Sequence, residues 1–401
     1  MLFFVHFQMS ALARLPMRTN TMALSKNRSS SNLGILIFSG YNPRALIAFI
    51  RTLIATDIKF SIVADSEEDF ILSTDYKGYV AAIRSVKSLD KDDLKRCITI
   101  SRTMLECETM VVAPSSEFLN RYLLNEATFF ENLGVTIPLV DLSLYEMISD
   151  KKSFGQICSE HGLRVPCEIL NPEEKNIPFV AKPIKYQSKL GEIHSPIIIK
   201  NKYDLECFLA RTDCNDFYFQ EYLSGDTYYL LYYFDRSGIV EKLSMRNLIQ
   251  QPDGKSVIAS VLSDVHTSSI SDSYEKLLSG MNFFGLVMIE LKKYKNKYYM
   301  IEANPRFWGP SQLFVDAQYN LFISFLNDWL GVSYSVKTGV FNQAAKYFWM
   351  GGVMENISSS PCACHVEDAD AVAILGGLGA FISNDIYMRS DTIQIGLKYW
   401  K

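Results

Sequence analysis

Glu290 and the run Glu302-Ala303-Asn304-Pro305-Arg306-Phe307 set two carboxylates, a carboxamide and an arginine among apolar, strand-like segments. Glu290 closes the run Gly285-Leu286-Val287-Met288-Ile289, Lys292 to Lys297 supply a polar turn, and Tyr298-Tyr299-Met300-Ile301 leads into Glu302. The pattern predicts a β-hairpin that delivers both acids to one end of a sheet. Hard divalent cations need oxygen ligands and commonly keep phosphate oxygens in their shell, so Glu290, Glu302 and the Asn304 amide suit a metal-nucleotide site for Mg²⁺, with Mn²⁺ as the alternative ion. Arg306 would then face a transferring phosphoryl group or an anionic intermediate, and is the first catalytic candidate.

These residues resemble the metal-binding hairpin of the ATP-grasp superfamily, which carries a carboxylate on one strand and a Glu-x-Asn-x-Arg run on the next. The resemblance implies an α/β fold (the α+β ATP-grasp arrangement) in which an N-terminal βαβ lobe precedes two α+β lobes that clamp ATP. It extends to other segments. Lys151, and Lys182 in Phe179-Val180-Ala181-Lys182-Pro183, match the family's phosphate-contacting lysines, and a lysine at a strand end can reach phosphate while its stem packs on the sheet. Gln220-Glu221-Tyr222-Leu223 resembles the hinge that binds the adenine edge, with Glu221 and the Leu223 backbone as candidates and Asp226 as the candidate ribose ligand. Asp226 reads equally as a turn residue. Arg246, expected just after the strand Ile239 to Leu243, matches an arginine that holds the substrate carboxylate or the transferred phosphate. The family's glycine-rich flap is represented by Lys185 to Gly191, in which only Gly191 remains, with Lys185 or Lys189 available to contribute charge instead.

The bulk properties agree with small-molecule chemistry. The chain has 401 residues, of which 48% are hydrophobic and 21% charged, enough for two or three lobes around buried cores. A formal charge of -4, with lysine and arginine dispersed, argues against a nucleic-acid partner, and no apolar run is long enough to cross a bilayer. Eight irregularly spaced cysteines point to reduced thiols and a cytoplasmic location. Cys362-Ala363-Cys364-His365 reads either as a surface loop or as half a metal clip.

Residues 1–33 carry no acid and are expected to be a disordered leader, or to reflect a true start at Met22. Residues 34–140 read as a βαβ lobe: strands near Ile35 to Ser39, Phe60 to Ala64 and Met110 to Ala113, with helices over Pro43 to Thr56 and Leu89 to Glu106. No dinucleotide glycine fingerprint follows the first strand. Residues 141–225 form the expected first ATP-grasp subdomain, opening with one helix from Leu142 to Cys158. Residues 226–401 form the second, with the metal hairpin, one helix over Leu313 to Leu330, strands over Ala344 to Met350 and Ala371 to Leu375, and a turn at Gly376-Gly377-Leu378-Gly379.

The resemblance therefore implies an ATP- and Mg²⁺-dependent ligase that activates a carboxylate as an acylphosphate and couples it to an amine, with a homodimer as the candidate assembly. Two other readings stay open: carboxylate phosphorylation without amide formation, and a nucleotide-binding regulatory protein that has lost turnover.

Overall fold

The computed structural model describes residues 32–170, 172–184, 195–357, 365–366 and 376–398. Its first lobe holds strands β1 (Leu33–Phe38), β2 (Phe60–Ala64), β3 (Val80–Ile83), β4 (Thr109–Val112) and β5 (Val135–Thr136), all parallel, in the order β3-β2-β1-β4-β5. The near-continuous apolar runs of β1 and β2 fit strands covered on both faces. Helix α1 (Pro43–Ala55) begins with proline at its first position, where no backbone donor is lost, and α2 (Lys91–Leu105) is capped by Asp90, whose side chain accepts from the amides of Asp92 and Asp93. Two further helices, α3 (Glu117–Asn125) and α4 (Ala127–Asn132), complete this lobe.

The expected single helix from Leu142 to Cys158 is two: α5 (Leu142–Ser149) and α6 (Lys151–Glu160). Asp150 lies between them in extended backbone, and its carboxylate accepts from the Ser153 amide, so it ends one helix and caps the next. A small sheet follows, in the order β6-β9-β7-β8: β6 (Glu168–Ile169), β7 (Phe179–Pro183), β8 (Ile197–Ile199) and β9 (Phe217–Glu221). It closes its own core, Phe179, Phe217 and Phe219 against Phe208 of α7 (Lys202–Arg211).

The third unit is built on a long antiparallel sheet in the order β14-β13-β10-β11-β12-β15. Its strands are β10 (Asp226–Phe234), β11 (Val240–Gln250), β12 (Val257–Ser263), β13 (Gly285–Tyr294), β14 (Lys297–Asn304) and β15 (Lys346–Phe348), with β16 (His365–Val366) pairing β11 at its far end. Strand alternation divides β10 between two cores. Tyr228, Leu230, Tyr232 and Phe234 pack with Tyr145, Ile148 and Phe154 of α5 and α6 and with Tyr274 and Leu278 of α8 (Ser269–Gly280). Tyr229, Leu231 and Tyr233 belong to a core that includes Phe322 and Phe325 and also Phe49 of α1 in the first lobe.

Several boundaries differ from the sequence reading. The β13–β14 hairpin turns later than expected: β13 runs to Tyr294, and Lys295 and Asn296 form the two-residue turn with φ of 46° and 60°. The helix over Leu313 to Leu330 splits into α9 (Gln312–Asp316) and α10 (Leu321–Leu330), because Gln318 is left-handed and Asn320 caps α10. Part of the expected glycine turn is helical, Leu378–Ile382. The leader up to residue 31, the flap Lys185 to Gly191, the cysteines at 362 and 364 and the strand Ala371 to Leu375 lie outside the described residues.

Candidate nucleotide and metal site

The β13–β14 register decides how the acidic residues meet. Glu290 stands directly across from Glu302, and Met288 across from Asn304, so the two carboxylates and the carboxamide share one face of the sheet. The ladder is irregular immediately after the Glu290–Glu302 pair. Asn304 Nδ2 donates to Glu302 Oε1 at 2.7 Å, Arg306 Nη2 donates to Asn304 Oδ1 at 3.0 Å, and Lys151 pairs with the other Glu302 oxygen. Glu290 is 7% exposed and its carboxylate has no hydrogen-bond partner among the described residues. Burial raises its pKa, against the opposing pull of Lys292, Lys151 and Lys182. The side chain lines the cleft described below, where a bound cation would offset the cost of holding it charged.

Lys151 reaches this cluster because Asp150 starts α6 there, making Lys151 its first residue. Lys182, on β7, is 5% exposed and donates to the Ile301 carbonyl at 3.2 Å. Burial, reinforced by the neighbouring Lys151 charge, pushes Lys182 down to about 7, and burial also lowers Lys151. Lys151 has the Glu302 carboxylate as its partner, whereas Lys182 has only a backbone carbonyl, so an anion beside it would offset its desolvation.

Between the small sheet and the long one lies a cleft of about 510 Å³ lined by Lys151, Lys182, Gln220, Glu221, Leu223, Glu290 and Glu302. At its hinge the Cys167 amide donates to Glu221 Oε1 at 3.0 Å, and the Glu221 amide donates to the Cys167 carbonyl at 2.9 Å. Gln220 Nε2 donates to the Pro166 carbonyl, while its Oε1 is buried with no partner among the described residues.

Arg246 and Asp226 are turned away from both the cleft and the acids. Arg246 lies inside β11, not beyond it, because β12 pairs the strand as far as Gln250. Its cross-strand neighbour is Tyr228, which faces Leu291, whereas the neighbouring Tyr229 faces Glu290. Alternation therefore turns Arg246 to the opposite face of the sheet from the acids. There its Nη2 donates to Asp226 Oδ1 at 3.2 Å, and Asp226 Oδ2 accepts from the Tyr228 hydroxyl. The expected carboxylate anchor and the expected ribose ligand are each other's partners.

Conversely, the sequence reading passed over Gln250, Lys255, Lys200 and Lys292, all of which line the cleft. Only Lys292 carried a signal, since it stands two residues from Glu290 on the same strand face and donates to the Gly225 carbonyl at 3.0 Å. Lys255 sits in Gln251-Pro252-Asp253-Gly254-Lys255, which reads simply as a turn. Asn304 and Arg306 open instead onto an adjoining crevice of about 500 Å³ that shares Glu302 and Lys255 with the cleft.

Two carboxylates and one amide oxygen suit an ion that draws its remaining ligands from phosphate and water. Among the described residues no group of three or more His, Cys, Asp or Glu could hold a metal by itself.

No family profile and no curated protein matches the chain. Solved structures do. The biotin carboxylase of Campylobacter jejuni, in complex with a form of ATP, superposes with a TM-score of 0.57 at 16% identity, over 78% of this chain and 74% of that one. The N5-carboxyaminoimidazole synthetase of Staphylococcus aureus gives 0.54 at 14% identity, over 76% and 81%. The N5-carboxyaminoimidazole ribonucleotide synthetase of Thermus thermophilus gives 0.55 at 14% identity, over 76% and 80%. The chain has the ATP-grasp fold.

Proposed function

We propose that this chain is an ATP-dependent ligase that activates a carboxylate with MgATP and couples the acyl group to an amine. The observation that carries this reading is the buried, unpartnered carboxylate of Glu290 opposite Glu302, in one cleft with two lysines whose charge is held at a cost.

In this reading Lys151 and Lys182 hold the phosphates, and Glu221 and the Leu223 backbone meet the adenine edge, with the unpartnered Gln220 Oε1 as a further acceptor there. Glu290, Glu302 and Asn304 would hold magnesium, which would supply neutralisation of the phosphate oxygens. The substrate carboxylate oxygen attacks the γ-phosphorus, the bond from that phosphorus to the β-γ bridging oxygen breaks, and ADP leaves. Arg306, fixed by Asn304, orients the carboxylate and stabilises the developing charge, since phosphoryl transfer depends mainly on positioning and electrostatics. An amine nitrogen then attacks the acyl carbon, the carbon–oxygen bond to phosphate breaks, and the nitrogen gives up its proton. Enclosure in the clamp protects the acylphosphate from water. The known complexes of similar structures with nucleotides, one with MgADP and bicarbonate, support the nucleotide assignment.

The test is ADP release with Mg²⁺ across a panel of carboxylates, with and without amines, using Glu302→Ala as the control. Stimulation by one carboxylate, absent in the control, is the expected result. Nucleotide binding without stimulation by any carboxylate would replace this proposal with the regulatory reading.

A further inference from the structure

Away from the acids, toward the other end of β10, lies a further cavity of about 450 Å³ that shares no lining residue with the cleft or the crevice. Tyr233 of β10 and its cross-strand neighbour Glu241 of β11 both line it. They stand on the face of the sheet that carries Glu290, since Tyr229 faces Glu290 and Tyr233 lies four residues further along the strand, about 13 Å away at the rise of a β-strand. Helix α10 contributes Ser324 and Asp328, and Tyr334 comes from the loop that follows it. That loop is pinned. Asn327 Oδ1 accepts from the Tyr334 amide at 2.9 Å, Asn327 Nδ2 donates to the Tyr334 carbonyl at 2.8 Å, and the Tyr334 hydroxyl donates to the Thr56 carbonyl at the end of α1.

The carboxylates of this cavity are unequally answered. Asp328 takes Arg236 Nε at 2.9 Å and the Tyr233 hydroxyl at 2.7 Å. Glu241 accepts from the Tyr319 hydroxyl and has no cationic partner among the described residues. The Asp235 carboxylate receives the Ser237 amide, the Ser237 hydroxyl and the Ile239 amide on one and the same oxygen. Lys337, in the same lining, is exposed and forms no ion pair among the described residues. With Arg236 set against Asp328, two carboxylates face one lysine, and negative charge is in excess. A second observation is independent of charge. Ser324 lines the cavity at 8% exposure, and its hydroxyl makes no hydrogen bond among the described residues, whereas buried hydroxyls are normally satisfied. A metal ion does not fit, since among the described residues no three His, Cys, Asp or Glu side chains group closely enough to hold one. An extended cation with a polar end does fit: its ammonium meets Glu241 and the tyrosine rings, and its polar end meets Ser324.

We infer that this cavity binds a small organic cation, a primary or methylated ammonium bearing a hydroxyl group, anchored by Glu241 and completed by Ser324. The site stands apart from the ligase reading, whose own amine must reach the acyl group at the other end of the sheet.

The test is titration of the full chain, without nucleotide, with ethanolamine and with choline, followed by saturation-transfer NMR. The neutral controls are ethylene glycol and the choline isostere in which carbon replaces the nitrogen. Binding of a cation and not of its neutral counterpart is expected, and which cation binds more tightly tells a primary from a methylated ammonium. Glu241→Gln should weaken that binding by about tenfold or more, and Ser324→Ala by a few-fold. Thermal melting checks that the variants fold. If Glu241→Gln does not, Lys337→Gln, at an exposed position, should tighten binding by a few-fold because it removes the opposing charge. Glu302→Ala, which alters the cleft and not this cavity, should leave cation binding as it is. Equal binding of charged and neutral probes, no binding of either cation, or binding that is lost in Glu302→Ala and untouched by Glu241→Gln and Lys337→Gln overturns the inference.

Discussion

Lys182 makes the sharpest residue-scale statement. Its ammonium is disfavoured in the free protein, so that it titrates at about 7, whereas an unfolded lysine stays charged to far higher pH. A triphosphate beside it would restore the charge. Between about pH 7 and the ordinary lysine range, nucleotide binding should therefore take up a proton, and affinity should fall as pH rises through that window. Below about pH 7 the lysine is already charged, and the dependence should flatten. Calorimetry at pH 8 in buffers of different ionisation enthalpy reads the uptake directly, and none at all would remove Lys182 from the phosphate site. Lys182→Ala should weaken ATP binding by about tenfold or more, the scale of one charge-assisted contact. Glu302→Ala should abolish Mg²⁺-dependent turnover while leaving the circular dichroism spectrum unchanged. The acids themselves were legible because cross-strand pairing of Glu290 and Glu302 follows from hairpin alternation once the two apolar runs are seen. The Arg246–Asp226 pair was not, because its face depends on where β11 ends, and that is fixed by pairing with β12, far along the chain.

At the scale of elements, short caps and turns do the positioning. Hydrophobic periodicity runs without a break through Leu142 to Cys158, so the sequence suggested one helix, and only the side chain of Asp150 on the Ser153 amide reveals two. Asp150→Ala should cost about 1 kcal/mol of stability through the lost cap. Because Lys151 is the next residue, the same change should also loosen nucleotide binding, and a stability loss with unaltered ATP affinity would show that the cap does not set the lysine. Gly225, between β9 and β10, has φ of 135°, and a Cβ there would lie 2.3 Å from the Lys293 carbonyl oxygen. Gly225→Ala should therefore destabilise the protein by more than the ~1 kcal/mol of an ordinary glycine replacement, since the backbone itself must shift. Urea unfolding measures it, and a change within error would mean that the β9–β10 junction yields freely. No pattern of residue types announces such an approach, because it is made by a strand nearly seventy residues later.

Taken whole, the molecule ties its first lobe to its last through one core. Phe49 of α1 meets Phe307, Phe322 and Phe325 at ring separations of 4.9, 5.0 and 5.7 Å. Asn42 bridges the Ser115 and Phe307 carbonyls, and Arg51 holds Asp391, Gln312 and Thr392 near the far end of the chain. Phe49→Ala should cost about 3–5 kcal/mol, as large core truncations do, and should lower the melting of both units together. Separate transitions in calorimetry, with only one of them moved, would show that the lobes unfold independently. The order of strands and helices in the first lobe was readable from apolar runs and their periods, but its attachment to residues near 391 was not, since nothing in a local window reports a partner some 340 positions away. The shared core has a consequence for inheritance. A lobe that borrows part of its interior from a distant segment cannot be swapped between proteins as a cassette, so recombination at residue 140 would leave Phe49 and Arg51 facing a stranger's surface.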